Sequence, residues 1–195
     1  SRGLGDVYKR QHYGYGKTTM SEIASDCGMS AGNIYRFFAS KIDIAEAMAR
    51  KFNVELYQTY AEIARETIPA PDRLRKFFNH GLTHTFDAIQ KDAKILEVAE
   101  VLSDERPLFF NEGLAQERIY LNQILEDGIA AGIFAPMEDV TFVSEMIQSA
   151  LMKFRFPQLY SLLTLQKLRR ELYGVLDILI AGLKHGVEFT KTPER

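Results

Sequence analysis

The window from Met20 to Ala39 reads MSEIASDCGMSAGNIYRFFA, and its apolar residues are spaced as two short helices. Ile23, Cys27, Met29, Ile34 and Phe37 are the positions that hold such helices together at a steep angle. Ala24 is small where the two would cross. Gly28 sits in the turn, where a positive φ is needed that glycine adopts without steric cost. Ser30 then supplies an N-cap hydroxyl for the second helix. An ordinary helical hairpin is the plainer reading of any one of these features, but together they predict a helix-turn-helix. Phe37 and Phe38 are read chiefly as core.

Outward from this window, few segments alternate apolar and polar residues, while apolar residues recur at three- and four-residue spacing almost everywhere. An all-α fold follows. Breakers at Gly14 and Gly16, Gly28, Ser40, Pro69 and Pro71, Pro107, Gly132 with Pro136, and Pro157 divide the chain. Helices are expected at 20–26, 31–37, 41–66, 72–89, 92–102, 108–131, 138–155 and 165–185, about nine in all with a truncated or atypical first helix. Residues 1–11, SRGLGDVYKRQ, develop no amphipathic stripe and are expected to be an atypical leader, with any short helix confined to 6–13. The helix from Lys41 carries Ile44, Met48, Phe52, Leu56, Tyr60 and Ile63, a stripe expected to touch core along its length and to join two modules. The domain reading is 1–50 for the helix-turn-helix module and 51–195 for a helical bundle.

The chain has 195 residues and a net charge of −2, which at first argues against a polyanionic partner. The charge is unevenly spread. Residues 1–52 hold eight Lys/Arg against five Asp/Glu, a net of +3, and the remainder is net −5. That polarity turns the N-terminal module toward nucleic acid. The longest apolar runs fall short of the ~20 residues of a membrane span, so no membrane partner is expected. The single Cys27 forms no internal disulfide and no secretory signal core is present, which makes the cytoplasm the expected compartment. No glycine-rich phosphate loop follows a strand and no nucleophile elbow appears, so neither an enzyme nor a cofactor is expected.

The stretch from Gly14 to Lys41, GYGKTTMSEIASDCGMSAGNIYRFFASK, resembles the DNA-binding signature of TetR-family transcriptional regulators. It has the Gly-Tyr turn, Thr-Thr helix start, Ile-Ala pair, Gly turn, recognition-helix Tyr, aromatic pair and following Ser-Lys. The resemblance implies operator DNA as partner, and repression as the usual outcome. Thr18 and Thr19, at the start of the first helix of the motif, are placed to hold a phosphate with Lys17 beside them. Ser30, Ala31, Gly32 and Asn33 form the turn that enters the major groove, where the small Ala31 and Gly32 admit the backbone and Asn33 is placed to read an adenine edge. Tyr35 and Lys41 occupy positions at which the family contacts phosphate. Arg36 is expected to be exposed in the same area, facing phosphate or guanine.

The rest of the chain is expected to sense a small molecule and to dimerise. Phe77, His80, His84, Phe109, Phe110, Tyr120, Met146, Met152 and Phe156 are the candidate pocket lining, suited to an apolar or aromatic effector whose binding releases a palindromic operator. Plain core packing is the competing reading for each. His80 and His84, four residues apart, are a weak metal signal because a third ligand, from Glu97 or Glu100, would have to meet them; no metal site is assigned. Homodimerisation is expected through the helices near 138–155 and 165–185, the second of which is apolar on more than one face. A DNA-binding protein whose C-terminal part only dimerises, without sensing, is the alternative.

Overall fold

The helix-turn-helix window forms the two short helices that its pattern predicts. The structure, a computed structural model, describes residues 15–160 and 162–189. After a 3₁₀ turn at Tyr15–Lys17, helix α1 spans Met20–Asp26 and α2 spans Ala31–Ile34. Thr19 opens α1 with a reciprocal cap. Its N–H and hydroxyl donate to the Glu22 carboxylate at 2.7 and 2.9 Å, and its oxygen accepts the Glu22 N–H at 3.2 Å. Gly28 makes the turn at φ +66°, and Ser30 Oγ accepts the Asn33 N–H at 3.2 Å to start α2.

Met20, Ala24 and Ile34 are buried between these helices, with Ile23, Met29, Phe38 and Ile44 packed against them. Two residues read as core in the sequence are not. Cys27 is exposed, because α1 stops there, and Phe37 is 65% exposed. The expected second helix ended at residue 37, whereas α2 ends at Ile34 and the chain passes into a turn. In that turn the Arg36 and Phe37 N–H groups bond three residues back, to Asn33 and Ile34, and Phe38 rather than Phe37 packs with Ile34.

Helix α3 runs Lys41–Ala64, α4 Ala70–Lys91, α5 Lys94–Glu105, α6 Pro107–Ala130, α7 Val140–Ala150 and α8 Leu165–His185. Among the described residues this makes eight α-helices and no strand. The buried face of α3 is Ile42, Ala45, Leu56, Tyr60, Ile63 and Ala64, while Met48 is 65% exposed. The expected stripe through Met48 fails because strict four-residue spacing drifts about 40° per step around a helix of 3.6 residues per turn. Helix α7 ends earlier than expected, giving way to 3₁₀ turns at Met152–Phe154 and Pro157–Leu159. The leader and first-helix expectations for residues 1–13 lie outside the described residues.

The chain gathers into two compact units. One runs to Val54 and takes in Ala88–Phe110; the other comprises Glu55–Asp87 and the chain from Asn111. The first therefore includes a segment that the sequence reading, with its boundary at residue 50, assigned to the bundle. Physical contacts account for this. Ile42 and Ala45 are buried against Leu102 and Phe109, and Arg106 binds Asp43 at 2.9 Å and Glu46 at 3.3 Å. Helix α5 also lies against the turn Tyr15–Lys17. In the second unit Leu74, Phe77, Leu82, Leu121, Ile124, Leu125, Leu151, Leu168, Leu172 and Leu176 are all under 2% exposed and make the core.

Candidate functional site

In the first unit, the short α2 begins with two residues that have almost no side chain. Ala31 and Gly32 are exposed, and space beside Gly32 is open, so the backbone there is accessible to a bulky partner. Asn33 is half-buried, its N–H engaged by Ser30. Beyond Ile34 the turn points Tyr35, Arg36 and Phe37 outward, with Tyr35 54% exposed. The Arg36 guanidinium lies 5.9 Å from the Phe37 ring centroid. Lys41 Nζ donates to the Thr18 carbonyl at 3.0 Å, which ties the start of α3 to the residue before the α1 cap. Lys17 is exposed nearby in sequence.

Thr19 behaves differently from the expectation that it offers its amide and hydroxyl outward. Both already bond to Glu22, and those two hydrogen bonds hold the Glu22 carboxyl below the usual glutamate range. The cap thus places a carboxylate where a phosphate was expected. The hydroxyl and Oδ2 of Ser40 and Asp43 repeat this arrangement at the start of α3, 2.8 Å apart, and hold the Asp43 carboxyl low.

The second unit brings together Phe77, His80 and His84 among the sequence candidates. Phe77 is stacked on Tyr60 with ring centroids 3.8 Å apart, His80 meets Tyr60 edge-on at 6.0 Å, and His84 lies 5.7 Å from His80. His80 Nε2 is buried with no hydrogen-bond partner. Burial, and then the charge of His84, lower the His80 pKa. Tyr60 packs so closely on the backbone of Gly81 that any Cβ there would overlap its hydroxyl. Its buried phenol has a raised pKa and accepts a hydrogen bond from Arg155 Nη1 at 3.2 Å.

Arg155 also pairs with Glu117, which is fully buried. The other Glu117 oxygen accepts from Gln148 Nε2 at 3.2 Å, and Arg118 donates to Gln148 Oε1 at 3.0 Å. The sequence reading missed Tyr60, Glu117, Gln148 and Arg155. Tyr60 was visible only as one member of an apolar stripe, and the polar network joins residues 30 to 95 positions apart.

The remaining candidates disperse. Phe109 and Phe110 belong to the first unit, where Phe109 is buried under the Arg50 guanidinium, 5.2 Å from its ring centroid. Met146 is 38% exposed on α7, while Tyr120, Met152 and Phe156 are half-buried in the second unit. A cavity of about 510 Å³ in that unit lies elsewhere, lined by residues that include Met137, Phe142, Leu183 and Phe189 and none of the nine candidates. Glu97 and Glu100 fall in the first unit, and among the described residues no three His, Cys, Asp or Glu side chains cluster to hold a metal. No helix of the described residues is long and apolar enough to cross a membrane.

Residues 11–48 match the family model of bacterial regulatory proteins of the tetR family, and residues 70–176 match the tetracyclin repressor-like C-terminal domain. The HTH-type transcriptional repressor KstR2 of Mycobacterium tuberculosis is 29% identical over 136 residues, covering 67% of this chain and 66% of that protein. The solved structure of the ketosteroid transcriptional regulator KstR2 of Mycobacterium tuberculosis has a TM-score of 0.54 at 25% identity, over 91% of this chain and 90% of that one. A transcriptional regulator from Cytophaga hutchinsonii has a TM-score of 0.67 at 23% identity, over 92% of this chain and 95% of that one, a likeness of fold.

Proposed function

Since the chain belongs to the TetR family of bacterial transcriptional regulators, we propose that it is a ligand-responsive repressor that binds palindromic operator DNA as a homodimer and is released by a small apolar or aromatic effector. The observation that carries this reading is the exposed edge of the helix-turn-helix. A Ser30-capped helix begins with Ala31 and Gly32, and exposed Tyr35 and Arg36 follow it. Ser30, Ala31, Gly32 and Asn33 enter the major groove, with Tyr35, Arg36, Lys41, Lys17 and Thr18 along the phosphates. Thr19 acts through its cap, by fixing the start of α1. The site of action is the cytoplasm, where the DNA is.

The effector site is the interior of the second unit around Phe77, His80 and His84. The Phe77 ring stacked on Tyr60, and a buried imidazole nitrogen of His80 without a partner, suit a flat apolar body carrying one oxygen function. The likeness to a ketosteroid transcriptional regulator makes a ketosteroid the first probe. Dimerisation uses α7 and α8, on which Phe142, Met146, Tyr173 and Ile178 are exposed apolar side chains.

The test is selection of duplexes from a random pool at two salt concentrations. The expected result is a palindromic site whose affinity falls steeply with salt. A folded, dimeric protein that selects no site overturns the reading.

A further inference from the structure

We propose that Phe37 is an apolar DNA contact, its ring laid on the carbon surface of the duplex while Arg36 engages the adjoining phosphate. The proposal rests on the operator-binding reading above. It begins from the burial pattern: Ile34 is buried and Phe38 packs on the same small core, whereas Phe37, between them and outside α2, is 65% exposed. The turn fixes that orientation, because the Phe37 and Phe38 N–H groups both donate to the Ile34 carbonyl, at 3.1 and 3.0 Å.

A single exposed apolar side chain is ordinary on a protein surface. This one has particular neighbours. Tyr35, Arg36 and Phe37 are three consecutive outward side chains directly following the proposed reading helix. Between Asp26 and Asp43 the sequence carries no carboxylate, while Arg36 and Lys41 supply positive charge. The segment that carries Phe37 therefore contributes no carboxylate of its own to repel a polyanion. The guanidinium lies 5.9 Å from the ring centroid, so the pair presents a cation and an apolar ring close together.

A DNA wall presents the complementary order. Phosphates alternate with deoxyribose, and thymine adds a methyl group on the groove floor. Phenylalanine has neither donor nor acceptor, so it contributes by covering sugar or methyl carbon and excluding water. It also adds no charge, and that gives the contact a signature different from those of Arg36 and Lys41.

The experiment compares the full chain with Phe37→Ala and Phe37→Leu, using a duplex selected from a random pool and the same duplex with uracil replacing thymine. Phe37→Ala is expected to weaken binding about tenfold while Phe37→Leu restores most of it, as loss and partial return of apolar area require. The melting temperature stays that of the wild type, because the ring is not core. The slope of log affinity against log salt also stays unchanged, whereas Arg36→Ala lowers it by about one. A loss equal on both duplexes assigns the contact to deoxyribose; a loss confined to the thymine duplex assigns it to the methyl group. Wild-type affinity in Phe37→Ala overturns the proposal, as does a fall in melting temperature of the size a buried phenylalanine gives. If the wild-type chain itself binds no duplex, the operator reading fails first and the role of Phe37 falls with it.

Discussion

Burial and the neighbouring His84 ring both oppose a positive charge on His80, and they hold its pKa below the usual histidine range. In the unfolded chain the same ring takes up a proton near pH ~6.5. As pH falls below that value the unfolded state binds protons before the folded state does, so stability is lost with acid, down to the lowered folded pKa. The second unit should accordingly melt at lower temperature at pH 5.5 than at pH 7.5. His80→Gln keeps a polar side chain without the titration and should flatten this dependence, leaving the contribution of the remaining groups. Thermal melts of the two proteins across that range measure it; parallel profiles would mean that His80 does not carry the effect. The pair His80 and His84 was legible in the sequence, but its surroundings were not. Tyr60, which meets His80 edge-on, is 20 residues away on another helix, and Arg155, which binds Tyr60, is 95 residues further on. No local pattern encodes such meetings. The result is that two histidines that suggest a metal in sequence stand among aromatic rings in the structure.

Helix α8 shows what periodicity does carry. Leu168, Leu172, Leu176, Ile180 and Leu183 are buried, as a helical stripe requires, and Tyr173 and Ile178 stand off that face at 37% and 74% exposure. Ile180 shares the buried face with the leucines. The long stripe was readable because 21 residues sample the helical period several times over. Helix α2 has four residues, too few to define a face, and that is why Phe37 was placed in the core on pattern alone. The separation of the two α8 faces makes the dimer proposal testable by paired substitutions. Ile178→Glu should leave the melting of the protomer near wild type but shift the protein toward monomer and weaken operator binding, because the palindrome is then met by one reading helix at a time. Leu172→Ala should instead cost about 2–5 kcal/mol of stability, the usual consequence of a cavity at a fully buried leucine. Sedimentation and calorimetry separate the two. An Ile178→Glu protein that remains dimeric and binds normally would place the interface on another surface.

Across the whole molecule, α3, α4 and α6 each contribute residues to both compact units. The family and the helical class were legible from one dense motif and a repeated period, but this partition was not. It depends on pairings such as Arg106 with Asp43, 63 residues apart, which bring Ala88–Phe110 into the N-terminal unit. A regulator built this way responds to an effector only if the effector binds one arrangement of the protein better than another. Linkage then fixes a relation that requires no knowledge of the arrangements themselves. If a ketosteroid probe weakens operator binding by some factor, saturating operator must weaken binding of that ketosteroid by the same factor, typically about 5–150-fold in coupled systems. The measurement is two titrations of the full chain with the ketosteroid, one alone and one with excess selected duplex, beside operator titrations with and without the ketosteroid. Equal factors different from one establish that ketosteroid binding and operator binding are coupled. A ketosteroid that binds with the same affinity whether or not operator is present has no coupling to transmit, and the C-terminal helices would then serve dimerisation without sensing that class of molecule.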